Sequence, residues 1–460
     1  MAAGDIGLRG LEGLNCTDLE RFVGIEGYYT VSPGIGGIVK ERPEDFIVWE
    51  VLDGGLDSRL MWELGPLPHE PSRYSLWILR KRNKDMLGSL AAISRAIGMR
   101  LRRVEICGIK DRRATTYQFI ALPTEAVPQT TRTIVAGPVE ARHVGYVNEL
   151  KTEDLVENRF EVMVRHVSRD PQGLSRFREE VQSDGVPNYF GPQRFGSLRP
   201  ITHLVGRHIV AGEFREAVET FLFLHTDFEP EPVKMARQLA AEQSSPDQLL
   251  SILPRSLVYE RTVARHLAER RGDYLGALRR LPLRLRRLFV EAYSSYIFNR
   301  ALSLSLKDGA RLNEPLVGDL AVRLDMYQRP YGRVIPVDTW NIEEVARRVA
   351  RGEAAISLPH VGYLVWLPRG PRGDALRAVL EEEGVTTSSF RIRAAPELST
   401  RGSPRPILLR PRELQLSVQG EGLVRLSFSL PPSGYATSLL RELMKRRCGL
   451  AYAGVKHCYA

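Results

Sequence analysis

Hydrophobic and polar positions recur with two different periods along this 460-residue chain. Alternation of period two, the mark of half-buried strands, fills most of the first two hundred residues and returns near the end. Ile38 and then, beyond Pro43, Phe46, Val48 and Glu50 predict two short strand pieces around a turn, with Lys40 and Arg42 on one side of it. Tyr74, Leu76 and Ile78, alternating with Ser75, Trp77 and Leu79, predict a largely buried strand over 73–79. Val104 and Ile106 lead through Gly108 into Lys110-Asp111-Arg112-Arg113, and Tyr117, Phe119 and Ala121 lead out, which reads as strand, tight turn, strand. Residues 134–166 are strand-rich, and Val424, Leu426, Phe428 and Leu430 alternate cleanly.

Helical spacing appears between these runs. Asp85 is a suitable N-cap, Met86, Leu90, Ile93 and Ile97 share a face, and Gly98 ends the pattern. A second amphipathic helix runs around Leu174, Phe177 and Val181 and stops at Gly185. From about 200 to 395 the texture is helical with Arg-rich edges, over 214–224, 233–241, 249–253 and 281–306. Tyr293 and Tyr296, at helical spacing, read as core, and 318–320 and 330–333 as loops or strand edges. After Pro431 the chain turns into a helix whose first turn carries small hydroxyl residues. There is no internal repeat. A helical block between two strand-rich halves implies an insertion into one α/β domain.

Composition narrows the class. Hydrophobic content of 43% and charged content of 26% are those of a soluble globular protein. No apolar run approaches the roughly 18 residues that span a bilayer. The first residues lack a basic stretch followed by an apolar core, so a cytoplasmic location is expected. The four cysteines, Cys16, Cys107, Cys448 and Cys458, form no C-x-x-C pair, which argues against a disulfide framework and a structural zinc site. Cys448, Cys458 and His457 make only a weak metal set.

Charge changes the picture more. The net charge is +10, and residues 76–120 hold eleven Lys and Arg against three acids. A thermophile surface of dispersed ion pairs would spread its cations. Concentration in one segment is the footprint of a polyanion, most simply nucleic acid. Within it, Asp111 is one acid among Lys110, Arg112 and Arg113. Such a turn can be a solvated surface feature, or a carboxylate held ionised at an anion-binding site. A second dense stretch is Val186–Gly196, with two Pro, two Gly, three aromatics, Asn188 and Arg194 in eleven residues. In isolation it reads as a packed aromatic loop. In a nucleic-acid enzyme it offers a ring to stack on and an amide edge to pair with an unstacked base.

Four stretches together resemble the tRNA pseudouridine synthase D (TruD) family: K-E-R-P-E-D-F-I-V-W-E from Lys40, G-I-K-D-R-R-A-T-T-Y-Q from Gly108, N-Y-F-G-P-Q-R-F-G from Asn188 and Y-A-T-S-L-L-R-E-L-M from Tyr435. A-Y-S-S-Y-I-F-N from Ala292 and G-S-P-R-P from Gly402 add support, and the likeness covers nearly the whole chain. Trp49 departs from the usual pattern outside the signature positions. The resemblance implies an α+β pseudouridine synthase fold, a mixed, mainly antiparallel sheet with flanking helices, split by a large helix-rich α/β insertion of the archaeal type. The expected boundaries are 1–200 and 396–460 for the catalytic domain and 201–395 for the insertion. It implies tRNA as partner, no cofactor and no metal, and conversion of uridine to pseudouridine at position 13 of the D-arm. No protein partner and no membrane are implied.

By motif, the catalytic aspartate falls on Asp111, Asn188 and Phe190 fall on the uracil pocket, and Lys40 falls beside the site. Lys110 and Arg112 are candidates to keep Asp111 ionised and to bind flanking phosphates. The chemistry suits one carboxylate, which can attack C1′ or remove the 2′ proton. A hydrolytic glycosidase would want a second carboxylate. Two rivals share the charge pattern: a non-catalytic tRNA-binding or folding protein, and a metal-dependent nuclease, for which no D-x-D or H-x-H constellation is visible near Asp111.

Overall fold

The computed structural model describes residues 18–446 apart from 67–69, 168–172, 197, 243–245 and 308. Cys16, Cys448, His457 and Cys458 lie outside the described residues, and Cys107 is a buried free thiol.

The alternating runs assemble into one mixed sheet of eleven strands among the described residues. Its main path runs Arg412–Gly420, Leu423–Leu430, Leu155–Val167, Phe46–Leu52, Thr115–Pro123, Tyr74–Arg82, Val139–Val147 and Thr133–Ala136. Phe46–Leu52 against Thr115–Pro123 is the parallel step, while the other neighbours on that path pair antiparallel. The last strand-rich stretch therefore completes the sheet begun by the first, with Leu426 opposite Val162 and Phe428 opposite Phe160. Phe46, Val48, Phe160 and Phe428 form the apolar face there, covered by the helices Gly173–Asp184 and Ala436–Met444. The helix expected from Asp85 forms over Met86–Ala96, and the Asp85 carboxylate caps it by accepting from the Gly88 N–H at 2.7 Å.

One local expectation is corrected. No tight turn joins the strands on either side of Asp111. Glu105–Ile106 pairs with Thr115–Pro123 only at Ala121 and Ile120, so the chain between Ile106 and Thr115 is an open loop. The physical reason is visible in its bonds: Lys40 and Lys81 reach Asp111 from outside the loop, and the loop's mouth is closed by the Gln118 side chain on the Gly108 carbonyl rather than by a backbone ladder.

The segment 201–395 is mostly helical, and it also contributes three strands that the alternation hardly signals: Leu320–Leu324, Pro330–Pro336 and Ala354–His360. Together with Ser403–Pro406 these form an antiparallel four-stranded sheet. The 25-residue helix Leu283–Lys307 runs through the core of this part of the molecule, with residues on all sides buried. Tyr293 and Tyr296 lie on it and are core, as their spacing indicates. Its polar residues are spent on neighbouring loops. The Asn299 Oδ1 accepts from the Phe190 N–H at 2.9 Å, its Nδ2 donates to the carbonyls of Val23 and Phe190, and the Tyr189 hydroxyl pairs with Ser303 at 3.0 Å. The long helix thereby fixes the loop that begins at Asn188. No helix among the described residues is long and apolar enough to cross a membrane.

Candidate active site

A pocket of about 320 Å³ opens where the large sheet, the Asn188–Gly196 loop, the Ser403–Pro406 strand and the start of the Ala436–Met444 helix converge. Its floor is apolar because Phe46, Val48 and Phe160 lie on one face of adjacent strands, in register. Asp111 stands in the wall, supplied by the open loop.

The loop is tied down from several sides. Gln118, the last residue of its motif, donates from Nε2 to the Gly108 carbonyl at 3.2 Å. Arg113 donates to the Lys40 carbonyl at 2.9 Å. Lys81, fully buried at 0% exposure, donates its ammonium to the main-chain oxygen of Asp111 at 2.6 Å. The side chain of Asp111 takes a second lysine: Lys40 Nζ lies 2.5 Å from Oδ2. The carboxyl is 32% exposed while Lys40 is 3% exposed, so the anion faces the pocket and its countercharge is behind it. Lys40 also lies over the Phe46 ring at 4.1 Å, and its backbone sits in the left-handed region at φ +58°, an uncommon conformation for a non-glycine residue.

These charges decide the state of the acid. Burial alone would raise the Asp111 pKa, but the attraction and hydrogen bond of Lys40, joined by Lys81 and Lys110, hold the carboxyl below the usual carboxylate range. Burial pushes the Lys81 ammonium the other way, down to about 8, against a partial offset from Asp111.

The sequence candidates divide into groups. Asp111, Lys110 and Phe190 line the pocket, and Lys40 touches Asp111 from behind. Lys110 reaches inward, its Nζ 2.8 Å from Oε1 of the buried Glu50, whose other oxygen accepts from the Phe119 N–H. Arg112 is exposed on the loop beside the pocket. Asn188 lies one layer back. Its Nδ2 donates to the Pro406 carbonyl at 2.9 Å and its Oδ1 accepts from Arg405 at 2.7 Å, so its amide is spent on the Ser403–Pro406 strand.

Arg405 and Lys81 are the residues that sequence reasoning passed over. The Arg405 guanidinium stacks 3.9 Å from the centre of the Phe190 ring and donates to the carbonyls of Asn188 and Ser433. Burial lowers its pKa to about 10, so it is a cation at neutral pH. Its signal was the Gly402–Pro406 motif, which offered a position but no role. For Lys81 the signal was the alternation itself, which continues from Trp77 and Leu79 to place residue 81 on an inward face.

Gly191 has a steric role. A Cβ there would meet Thr437 Oγ1 at 2.3 Å and Gln193 Oε1 at 2.7 Å, so any larger residue would force these side chains to move where the aromatic loop seats against the helix start. Among the described residues no group of three or more His, Cys, Asp or Glu side chains is placed to hold a metal ion.

Comparison with known proteins agrees in family. A family model described as tRNA pseudouridine synthase D (TruD) matches residues 22–443. A Thermococcus gammatolerans protein named tRNA pseudouridine synthase D is 35% identical over 432 residues, covering 93% of this chain and 99% of its own. One of the same name from Pyrococcus furiosus is 33% identical over 420 residues, 91% of this chain and 98% of its own. The crystal structure of a Methanosarcina mazei protein of that name superposes with a TM-score of 0.75 at 31% identity, covering 94% of this chain and 99% of that one.

Proposed function

This chain belongs to the tRNA pseudouridine synthase D (TruD) family, and from that premise we propose that the Asp111 pocket isomerises uridine to pseudouridine in tRNA, at position 13 of the D-arm. The observation that carries the reading is the Asp111 carboxylate, kept ionised by Lys40 at 2.5 Å while it faces a pocket walled by aromatic rings.

The reaction breaks C1′–N1, turns the uracil and forms C1′–C5; the C5 proton goes to water and N1 gains one. No water is added to the sugar, which is why one carboxylate suffices where hydrolysis would call for two. Asp111 acts either as nucleophile at C1′ or as base at the 2′ carbon. Lys40 keeps it anionic in both cases, and Lys81 fixes its main chain. The target base is stacked in folded tRNA, and extruding it costs roughly a few kcal/mol. Stacking against the Phe190–Arg405 pair offsets that cost. Asn188 acts through Arg405, holding the guanidinium in place. Arg112, exposed beside the pocket, suits a flanking phosphate, and Lys110 keeps its charge near Asp111 while pairing with Glu50.

The test is release of tritium from tRNA transcripts labelled at C5 of uridine, without ATP and with EDTA present. Wild-type protein should release it. Asp111→Ala should bind the transcript with similar affinity and release none; appreciable turnover by that variant would refute the assignment. Strand scission abolished by EDTA would instead favour a nuclease.

A further inference from the structure

We propose that Asn158 is the residue that grips the pairing edge of the target uracil and keeps hold of it while the base turns. This rests on the isomerase reading above. Asn158 lies on the strand Leu155–Val167, opposite Glu50 on one side and Leu430 on the other, and its side chain lines the pocket with Asp111 and Phe190. It is 6% exposed, and its Oδ1 has no hydrogen-bond partner. A buried amide oxygen without a donor costs about 1–3 kcal/mol and calls for a partner, and among such atoms here this one belongs to a residue that lines the Asp111 pocket.

Of the other polar side chains of the pocket, those of Ser433 and Tyr435 are exposed or half-buried, and the buried or charged ones have partners within the protein. Lys110 pairs with Glu50, Arg405 is held by Asn188 and Ser433, and Gln193 pairs with Thr437. The amide expected to read the base, Asn188, is occupied behind the wall. Asn158 is left with both an acceptor and a donor to offer, and a half-turn of its terminal amide exchanges which of the two leads.

Uracil presents N3–H between two carbonyl oxygens, O2 and O4. An amide matches it with Oδ1 accepting from N3–H and Nδ2 donating to a carbonyl. After C1′–N1 has broken, C5 must take the place of N1. A half-turn about the N3···C6 axis achieves this, exchanging O2 for O4 and leaving N3–H where it was. An amide seated on N3–H therefore keeps one bond through the turn and trades one carbonyl for the equivalent other. That is a grip suited to a detached base.

The test compares wild type, Asn158→Ala and the near-isosteric Asn158→Leu on C5-tritiated tRNA transcripts carrying uridine or 3-methyluridine at the target. Wild type should lose about 10- to 100-fold in kcat/KM when N3 is methylated. On uridine each variant should lose a similar factor with tRNA affinity within about twofold of wild type, and methylation should cost the variants little more. Wild-type turnover indifferent to N3 methylation overturns the proposal, and that arm needs no variant to fold. So does a folded variant that matches wild type on uridine, or that discriminates against 3-methyluridine as strongly. Absence of tritium release from wild type on uridine would instead refute the isomerase reading itself.

Discussion

Lys40 and Asp111, 71 positions apart in the chain, meet at 2.5 Å, with the lysine buried and the carboxylate turned to the pocket. A carboxylate whose native pKa is depressed gains stabilisation that is present above the unfolded value, about 3.9, and is lost as pH falls through the native one. Lys40→Met removes the strongest attraction while the burial that opposes it stays. The acid limb of kcat/KM should then move to higher pH. An acid limb that stays in place would show that Lys40 does not set the ionisation of Asp111.

Lys81 predicts the opposite sense. Its native pKa, about 8, lies below the unfolded value of about 10.4. The cost of burying the charge is fully present below about 8, and stability rises with pH between the two values because the unfolded chain there holds more protons. Lys81→Met should flatten that rise, changing the difference in unfolding free energy between the two proteins by up to roughly 3 kcal/mol across the window. Denaturant titrations at pH about 7 and about 10 measure it; equal slopes would contradict a buried ammonium.

Asn188 and Arg405 should behave as one unit. Asn188→Ala frees the guanidinium that it fixes at 2.7 Å, and Arg405→Lys removes the planar group that stacks on Phe190. Each is expected to lower kcat/KM by about tenfold or more, and the double variant by little more than the worse single. Additive losses would return Asn188 to an independent role at the base.

Gly191→Ala should destabilise the protein by about 1–3 kcal/mol through the clash with Thr437 and Gln193. Adding Thr437→Ala removes the nearest atom and should restore part of the loss in a melting experiment. No recovery would mean that the loop is seated by something other than that contact.

The legibility of the chain follows the range of its interactions. Strands and helices with a clear period, such as Tyr74–Arg82 and Met86–Ala96, could be read locally. The four-stranded sheet could not, because Pro330–Pro336 is mostly exposed and carries no apolar face to betray it. At the site, the family resemblance singled out Asp111, Lys40 and Phe190. It could not tell that the Asn188 amide is used up across 217 residues by Arg405, since nothing local distinguishes a satisfied amide from an open one. Lys81 hid within a basic run whose other members, Arg80, Arg82 and Lys84, are half-buried or exposed. The charge excess drew notice to the right segment for a reason only partly the one at work: two of its lysines turn inward, one to a backbone oxygen and one to Glu50.

The strand Ser403–Pro406 has a mechanical consequence. It hydrogen-bonds to Ala354–His360 in the smaller sheet, yet Arg405 on it forms part of the wall at Asp111. The helix-rich segment thus shares a ladder with a strand that lines the pocket. A displacement of that segment would therefore be transmitted through a backbone hydrogen-bond ladder to the Arg405 side of the pocket.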